Sequence, residues 1–172
     1  MTITIRNHLS TQETVADLAS AAEDRYWESL ECMVSGHWHA GIYLGGYAAE
    51  MWLKFRAFEL GSAQPGDLVP ARLSATRRNL RTLPGGLTLP PDDNWHSLLF
   101  WLEYIFLMPY PSRTLQDQTA ARDRVRGLYD SWKVDMRYRS AHRTEPHPGD
   151  GLAILNDFLV RLSWLRTNHR QL

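Results

Sequence analysis

Gly46-Tyr47-Ala48-Ala49-Glu50-Met51-Trp52-Leu53-Lys54 is the stretch on which the fold is decided. Its small and apolar residues belong to a longer row, Ile42, Gly46, Ala49, Leu53 and Ala57, whose steps of three and four line one face of an α-helix. The spacing predicts a helix from about Gly36 to Leu60, closed by Gly61 as a C-cap residue. Gly41, Gly45 and Gly46 each cost such a helix about 1 kcal/mol relative to alanine. Close approach of a neighbouring helix is the compensation to expect.

The same spacing extends outward. Upstream, Ser10-Thr11-Gln12-Glu13 reads as a capping box. A first helix to about Val34 should follow, with Val15, Leu18, Ala22, Tyr26, Leu30 and Met33 on one face. Downstream, residues 61–91 hold Pro65, Pro70, Pro84, Pro90 and Pro91 with Gly66, Gly85 and Gly86, which break regular structure at both ends of the segment. Between the breaks lies Ala71 to Leu83, with Arg72, Arg77, Arg78 and Arg81 and no acid, a candidate short helix with a basic side. A third long helix is expected after Asp92-Asp93-Asn94, whose side chains can cap it, burying Trp95, Leu98, Leu99, Leu102 and Phe106 before Pro109 and Pro111. A fourth should run from about Thr114 through Val125, Leu128, Trp132 and Met136 toward His142, and a last from about Gly151 to Asn168 along Leu152, Leu155, Leu159 and Leu162. The expected fold is therefore all-α, an antiparallel up-and-down bundle of four to five long helices in one domain over residues 1–172, with a Pro/Gly-bounded basic insertion at about 61–91.

A chain of 172 residues can bury roughly 70% of the surface its unfolded form exposes. The single cysteine, Cys32, forms no intramolecular disulfide, and the first residues lack the apolar core of a signal peptide, so a cytoplasmic location is expected. The longest apolar run, Leu98 to Met108, is broken by Glu103 and falls short of the ~20 residues of a membrane span. Total charge is balanced at 19 basic and 19 acidic residues, which argues against a protein that coats nucleic acid. The balance hides a gradient. Residues 1–60 carry 4 basic and 8 acidic side chains, and residues 113–172 carry 11 and 7, so cations gather where Arg137 and His142 lie.

The stretch Gly46 to Lys54 resembles the Gly-Tyr-x-x-Glu-x-x-Leu-Lys signature on the second helix of HEPN domains (higher eukaryotes and prokaryotes nucleotide-binding). Asn94-Trp95-His96-Ser97-Leu98-Leu99 is similar to the His-x-Leu element at the start of their third helix. Arg137-Tyr138-Arg139-Ser140-Ala141-His142 matches the Arg-x4-6-His motif of many HEPN ribonucleases. The resemblance covers roughly residues 20–170 in the expected order. It implies an RNA-acting protein that dimerises along the motif helix, a metal-independent endoribonuclease of the toxin or defence type. An arginine-tyrosine pair after a tryptophan also occurs in HEPN relatives with no established nuclease activity. The alternative that the resemblance admits is a non-catalytic module that binds a nucleotide or a nucleotidyltransferase partner, whereas a toxin would have a cognate antitoxin as its partner.

The chemistry can be argued from the residues themselves. Metal-independent RNA cleavage needs a group to take the proton of the ribose 2′-hydroxyl and donors to stabilise charge on the phosphate. Histidine titrates near neutrality and arginine is a permanently charged fork, so His142 suits the first task and Arg137 the second. Tyr138, Arg139 and Arg143 stand beside them as RNA- or nucleotide-binding candidates. On a regular helix, at about 100° per residue, positions five apart point about 140° from each other. Either the helix frays before His142 or a second copy supplies complementary residues. A structural reading of the same residues is also open: Asp135 and Arg139 can pair at i,i+4, and Tyr138 and His142 share a face.

No metal or cofactor is expected. His37-Trp38-His39 with Glu50 lacks a third ligand at a typical spacing. Glu50 and Lys54 read as an i,i+4 ion pair or structural clamp, and His96 as a packing or hydrogen-bonding residue at a helix start. Trp27, Trp52, Trp95, Trp132 and Trp164 fall in predicted helices, where core packing is the default role.

Overall fold

The computed structural model describes residues 13–81, 87–88, 95–109, 114–132 and 148–172. Those residues form α1 (Val15–Val34), α2 (Trp38–Leu60), α3 (Val69–Asn79), α4 (Leu98–Leu107), α5 (Leu115–Ser131) and α6 (Pro148–Asn168), followed by a 3₁₀ turn at His169–Gln171. The fold is all-α, and among the described residues no helix is long and apolar enough to cross a membrane.

Capping fixes the helix starts, in places one turn away from the sequence expectation. Thr14, not Ser10, caps α1: its side chain accepts from the Asp17 N–H while Asp17 accepts from the Thr14 N–H. Ser10 itself lies outside the described residues. The next donors of α1 are satisfied from the insertion, Val15 N–H by the Asp67 carbonyl at 2.9 Å and Ala16 N–H by the Pro65 carbonyl at 3.0 Å. Thr114 and Asp117 repeat the capping box on α5. Ser97 caps α4, accepting from the Phe100 N–H, so α4 has 10 residues and Trp95 and His96 precede it in a turn, while Asp92–Asn94 lie outside the described residues. Both differences have one cause: Thr14 and Ser97 sit directly before the first buried apolar residues, Val15 and Leu98, where the unpaired N–H groups have to be met.

Contacts fix how the helices run. Near the start of α1, Val15 and Ala16 meet residues 65–67 beyond the end of α2, whereas Ser29 and Met33 meet Gly41 near the start of α2, so α1 and α2 are antiparallel. Gly45 faces Phe158 and Leu162 and Trp52 stacks on His169, so α6 runs the same way as α2. Glu50 meets His96 and Phe58 meets Trp101, so α4 also runs with α2. Two successive long elements cannot run the same way through a tight turn, and the insertion with α3 makes the return.

The glycines of α2 mark its contacts. A Cβ on Gly41 would strike Met33 of α1, one on Gly45 Phe158 and Leu162 of α6, and one on Gly46 the Trp132 indole. Close packing thus offsets their poor helix propensity. These small residues are buried within a single chain and do not themselves argue for a dimer. The core gathers Trp52, Leu53, Leu98, Trp101, Leu102, Ile105, Leu128, Phe158, Leu162 and Leu165. On α6 the buried row is Leu155, Phe158, Leu162 and Leu165, and Leu152, which the spacing placed on that row, is 59% exposed.

The expected fourth helix is shorter than its periodicity suggested. It ends at Ser131, and Trp132 is extended, with φ −112° and ψ 128°. Turning out of the helix at that residue lets a buried indole reach Gly46. Arg137, Tyr138, Arg139, His142 and Arg143 lie outside the described residues.

Candidate functional site

Two residues, one a helical turn away and one 46 positions away, converge on one carboxylate. Glu50 lies in the middle of α2 and is 3% exposed, facing Lys54 one turn later and the turn that enters α4. Lys54 donates to Oε1. The His96 imidazole meets Oε2 with Nδ1 at 2.9 Å. A buried carboxylate would strongly disfavour burial on its own, and here both of its oxygens are engaged. Lys54 also lies 5.7 Å from the centre of the Trp101 ring, a cation–π contact, and the Trp101 indole N–H donates to the Trp95 carbonyl at 2.8 Å. One side of the cluster therefore fastens the turn Trp95–Ser97 to α2.

The other side is aromatic. Tyr47, one turn before Glu50, meets the His96 ring edge-on at 6.2 Å, the Trp132 ring at 5.6 Å and the Tyr43 ring at 4.9 Å. The Tyr43 and Tyr47 hydroxyls are 3.2 Å apart. Trp132 is 1% exposed, and its indole N–H has no hydrogen-bond acceptor among the described residues. His96 is the accessible member, its side chain 45% exposed. An imidazole whose Nδ1–H is held by a carboxylate has a fixed ring orientation and presents Nε2 as the basic nitrogen.

Of the expected arrangements, the i,i+4 pair Glu50–Lys54 is present and buried. The link to His96 spans 46 positions and no local spacing reveals it. The available signal was a charged pair in the middle of a helix otherwise lined by alanine, glycine, leucine and tryptophan. Among the described residues no three His, Cys, Asp or Glu side chains are grouped to hold a metal ion.

Much of the basic surplus of the C-terminal half is structural. Arg122 makes a two-pronged bond to Glu103, at 2.7 and 2.8 Å, joining α5 to α4. Arg161 bonds Asp157 and the Asp123 carbonyl, joining α6 to α5, and Arg166 bonds Glu23 at 2.9 Å, joining α6 to α1. On the insertion, Arg72 donates to Asp67 and to the Ser62 carbonyl. Arg77, Arg78 and Arg81 are exposed, and Arg78 lines a groove of about 420 Å³ together with Asp67, Leu68, Ala71, Arg72 and Ala75.

No protein-family model, curated protein or solved structure matches the chain.

Proposed function

We propose that this chain is an HEPN-like protein acting on RNA as a cytoplasmic homodimer, with an up-and-down bundle as its frame, and that it is a metal-independent endoribonuclease of the toxin or defence type. Arg137 stabilises charge on the scissile phosphate, His142 takes the 2′-hydroxyl proton, and Tyr138, Arg139 and Arg143 grip the strand. One observation carries the reading. Residues of two of the three matching stretches meet, with Glu50 between Lys54 and His96 and with Gly46 and Tyr47 against Trp132, and Trp132 precedes Arg137 by five positions in the sequence. Tyr138 directly after the arginine favours a second reading, a non-catalytic module that binds a nucleotide or a nucleotidyltransferase partner.

The deciding experiment incubates purified protein with varied single-stranded RNAs in EDTA. The nuclease reading expects cleavage that leaves a 2′,3′-cyclic phosphate or its hydrolysed form, because the 2′-oxygen is the nucleophile and no metal activates it. Intact RNA throughout hands the function to the binding-module reading.

A further inference from the structure

The outward side of α1 carries an ordered aromatic ring between unpaired acids. Asp17, Ser20, Asp24, Trp27, Glu31 and Val34 are all exposed and follow one another at steps of three and four, which makes them a single stripe down the helix. At 1.5 Å per residue the stripe is about 26 Å long. Its apolar members, Trp27 and Val34, are 52% and 91% exposed.

Isolated apolar side chains on a surface are ordinary, but Trp27 is held in place. Arg166 of α6 lies over its ring, 5.0 Å from the centre, and Glu23 holds that guanidinium at 2.8 Å. Tyr26 meets the indole edge-on at 5.2 Å. A tryptophan fixed on one side and open on the other loses little further freedom when a partner covers it, and such residues anchor interfaces strongly.

Charge selects what covers it. Among the carboxylates of α1, Glu23 pairs with Arg166, Glu28 with Arg25, and Asp17 serves the Thr14 cap. Asp24 and Glu31, one turn to either side of Trp27, have no partner among the described residues. We propose that this stripe is a docking surface for a basic amphipathic helix of a partner protein, which lays an apolar side chain on Trp27 and a lysine or arginine against each of Asp24 and Glu31. Two helices crossing at a shallow angle match stripes of this spacing, and flanking charges of opposite sign set the register. A second copy of this chain does not fit, because a two-fold contact about Trp27 sets Asp24 against the other copy's Glu31, like charge on like charge. The docking surface shares no residue with the RNA-cleaving site proposed above and stands or falls apart from it.

Two synthetic helical peptides, three heptads long, serve as probes. Both carry leucine at the a and d positions; one has lysine and the other glutamate at e and g. Calorimetric titration of the full-length protein should show the lysine peptide binding, more weakly as salt rises, and the glutamate peptide not binding. Trp27→Ala should weaken the lysine peptide by at least about thirtyfold. Asp24→Asn with Glu31→Gln should weaken it by up to about tenfold and remove most of the salt dependence; both carboxylates are exposed, so this variant should keep the wild-type urea midpoint. Failure of the lysine peptide to bind, equal binding of both peptides, or binding that the α1 variants leave unchanged overturns the proposal. Light scattering of Trp27→Glu should match wild type. Loss of self-association in that variant assigns the stripe to contact between copies and overturns the proposal as well.

Discussion

The Trp132 indole occupies the space that a Cβ on Gly46 would need. This one contact joins the end of α5 to the middle of α2 and explains why a helix tolerates glycine where alanine would ordinarily be better. Opposing effects set the outcome of Gly46→Ala. Alanine gains about 1 kcal/mol of helix propensity, whereas overpacking against a buried ring costs about 1–3 kcal/mol, with further loss when Trp132 is pushed from a site where it is 1% exposed. The variant should be less stable than wild type by about 1–2 kcal/mol, read from urea unfolding, and its tryptophan fluorescence should shift to the red. A variant stabler than wild type would mean that Trp132 does not sit there.

The Glu50–Lys54 pair is buried at both ends, with side chains 3% and 10% exposed, so it should behave unlike a surface pair. Glu50→Gln or Lys54→Met alone strands a charge and should cost about 3–5 kcal/mol. Removing both charges together, as Glu50→Gln with Lys54→Met, should recover a large part of that loss. A double-mutant cycle with coupling below about 1 kcal/mol, the range of exposed pairs, contradicts the buried arrangement.

These two sites show what local sequence carries and what it does not. The i,i+4 spacing of Glu50 and Lys54, the row through Ala49 and Leu53 and the cost of three glycines in one helix are all local, and they located α2 and its crowded face. Helix ends were less legible, because a side chain that can cap is common and only tertiary burial selects which one does; Ser97 rather than Asp92–Asn94 opens α4 for that reason. Trp132 continued the apolar periodicity of α5 and yet is extended, since a distant glycine offered its ring a place that the helix could not. The bond from His96 to Glu50 depends on α4 running alongside α2, a consequence of the return through the insertion that no spacing encodes. Net charge by region overstates the cations left for a ligand, because Arg122, Arg161 and Arg166 join helices.

His169 supplies a pH dependence with a definite sign. Its ring stacks on Trp52 at 5.8 Å and its Nδ1–H donates to the Arg166 carbonyl at 2.8 Å. Burial lowers its pKa below the usual value, outweighing the carbonyls of Arg166 and Leu165, and Arg170 nearby lowers it further against a small opposing pull from Glu23. The unfolded chain therefore takes up this proton near pH 6.5, whereas the native protein does so only at lower pH. Stability from the neutral ring is present in full above about pH 6.5 and is lost as pH falls through the native value. Urea midpoints measured from pH 7.5 to 5 should fall for wild type and fall less for His169→Gln. Parallel curves would place the titration elsewhere.

The proposed homodimer makes a sharp prediction at Arg137 and His142. If each site of the homodimer takes its arginine from one copy and its histidine from the other, Arg137→Ala and His142→Ala should each abolish most cleavage alone. Losing one transition-state contact typically costs about a hundred- to thousandfold in rate. Mixing the two inactive variants then restores activity. In a heterodimer one site receives both substitutions, while the other receives an intact arginine from the His142→Ala copy and an intact histidine from the Arg137→Ala copy. With random exchange about half of the dimers are mixed, each with one working site of two, so roughly a quarter of wild-type activity should return. Light scattering should report a dimer under the same conditions. A stable monomer, or a mixture as inactive as its components, means that each copy assembles any site from its own residues.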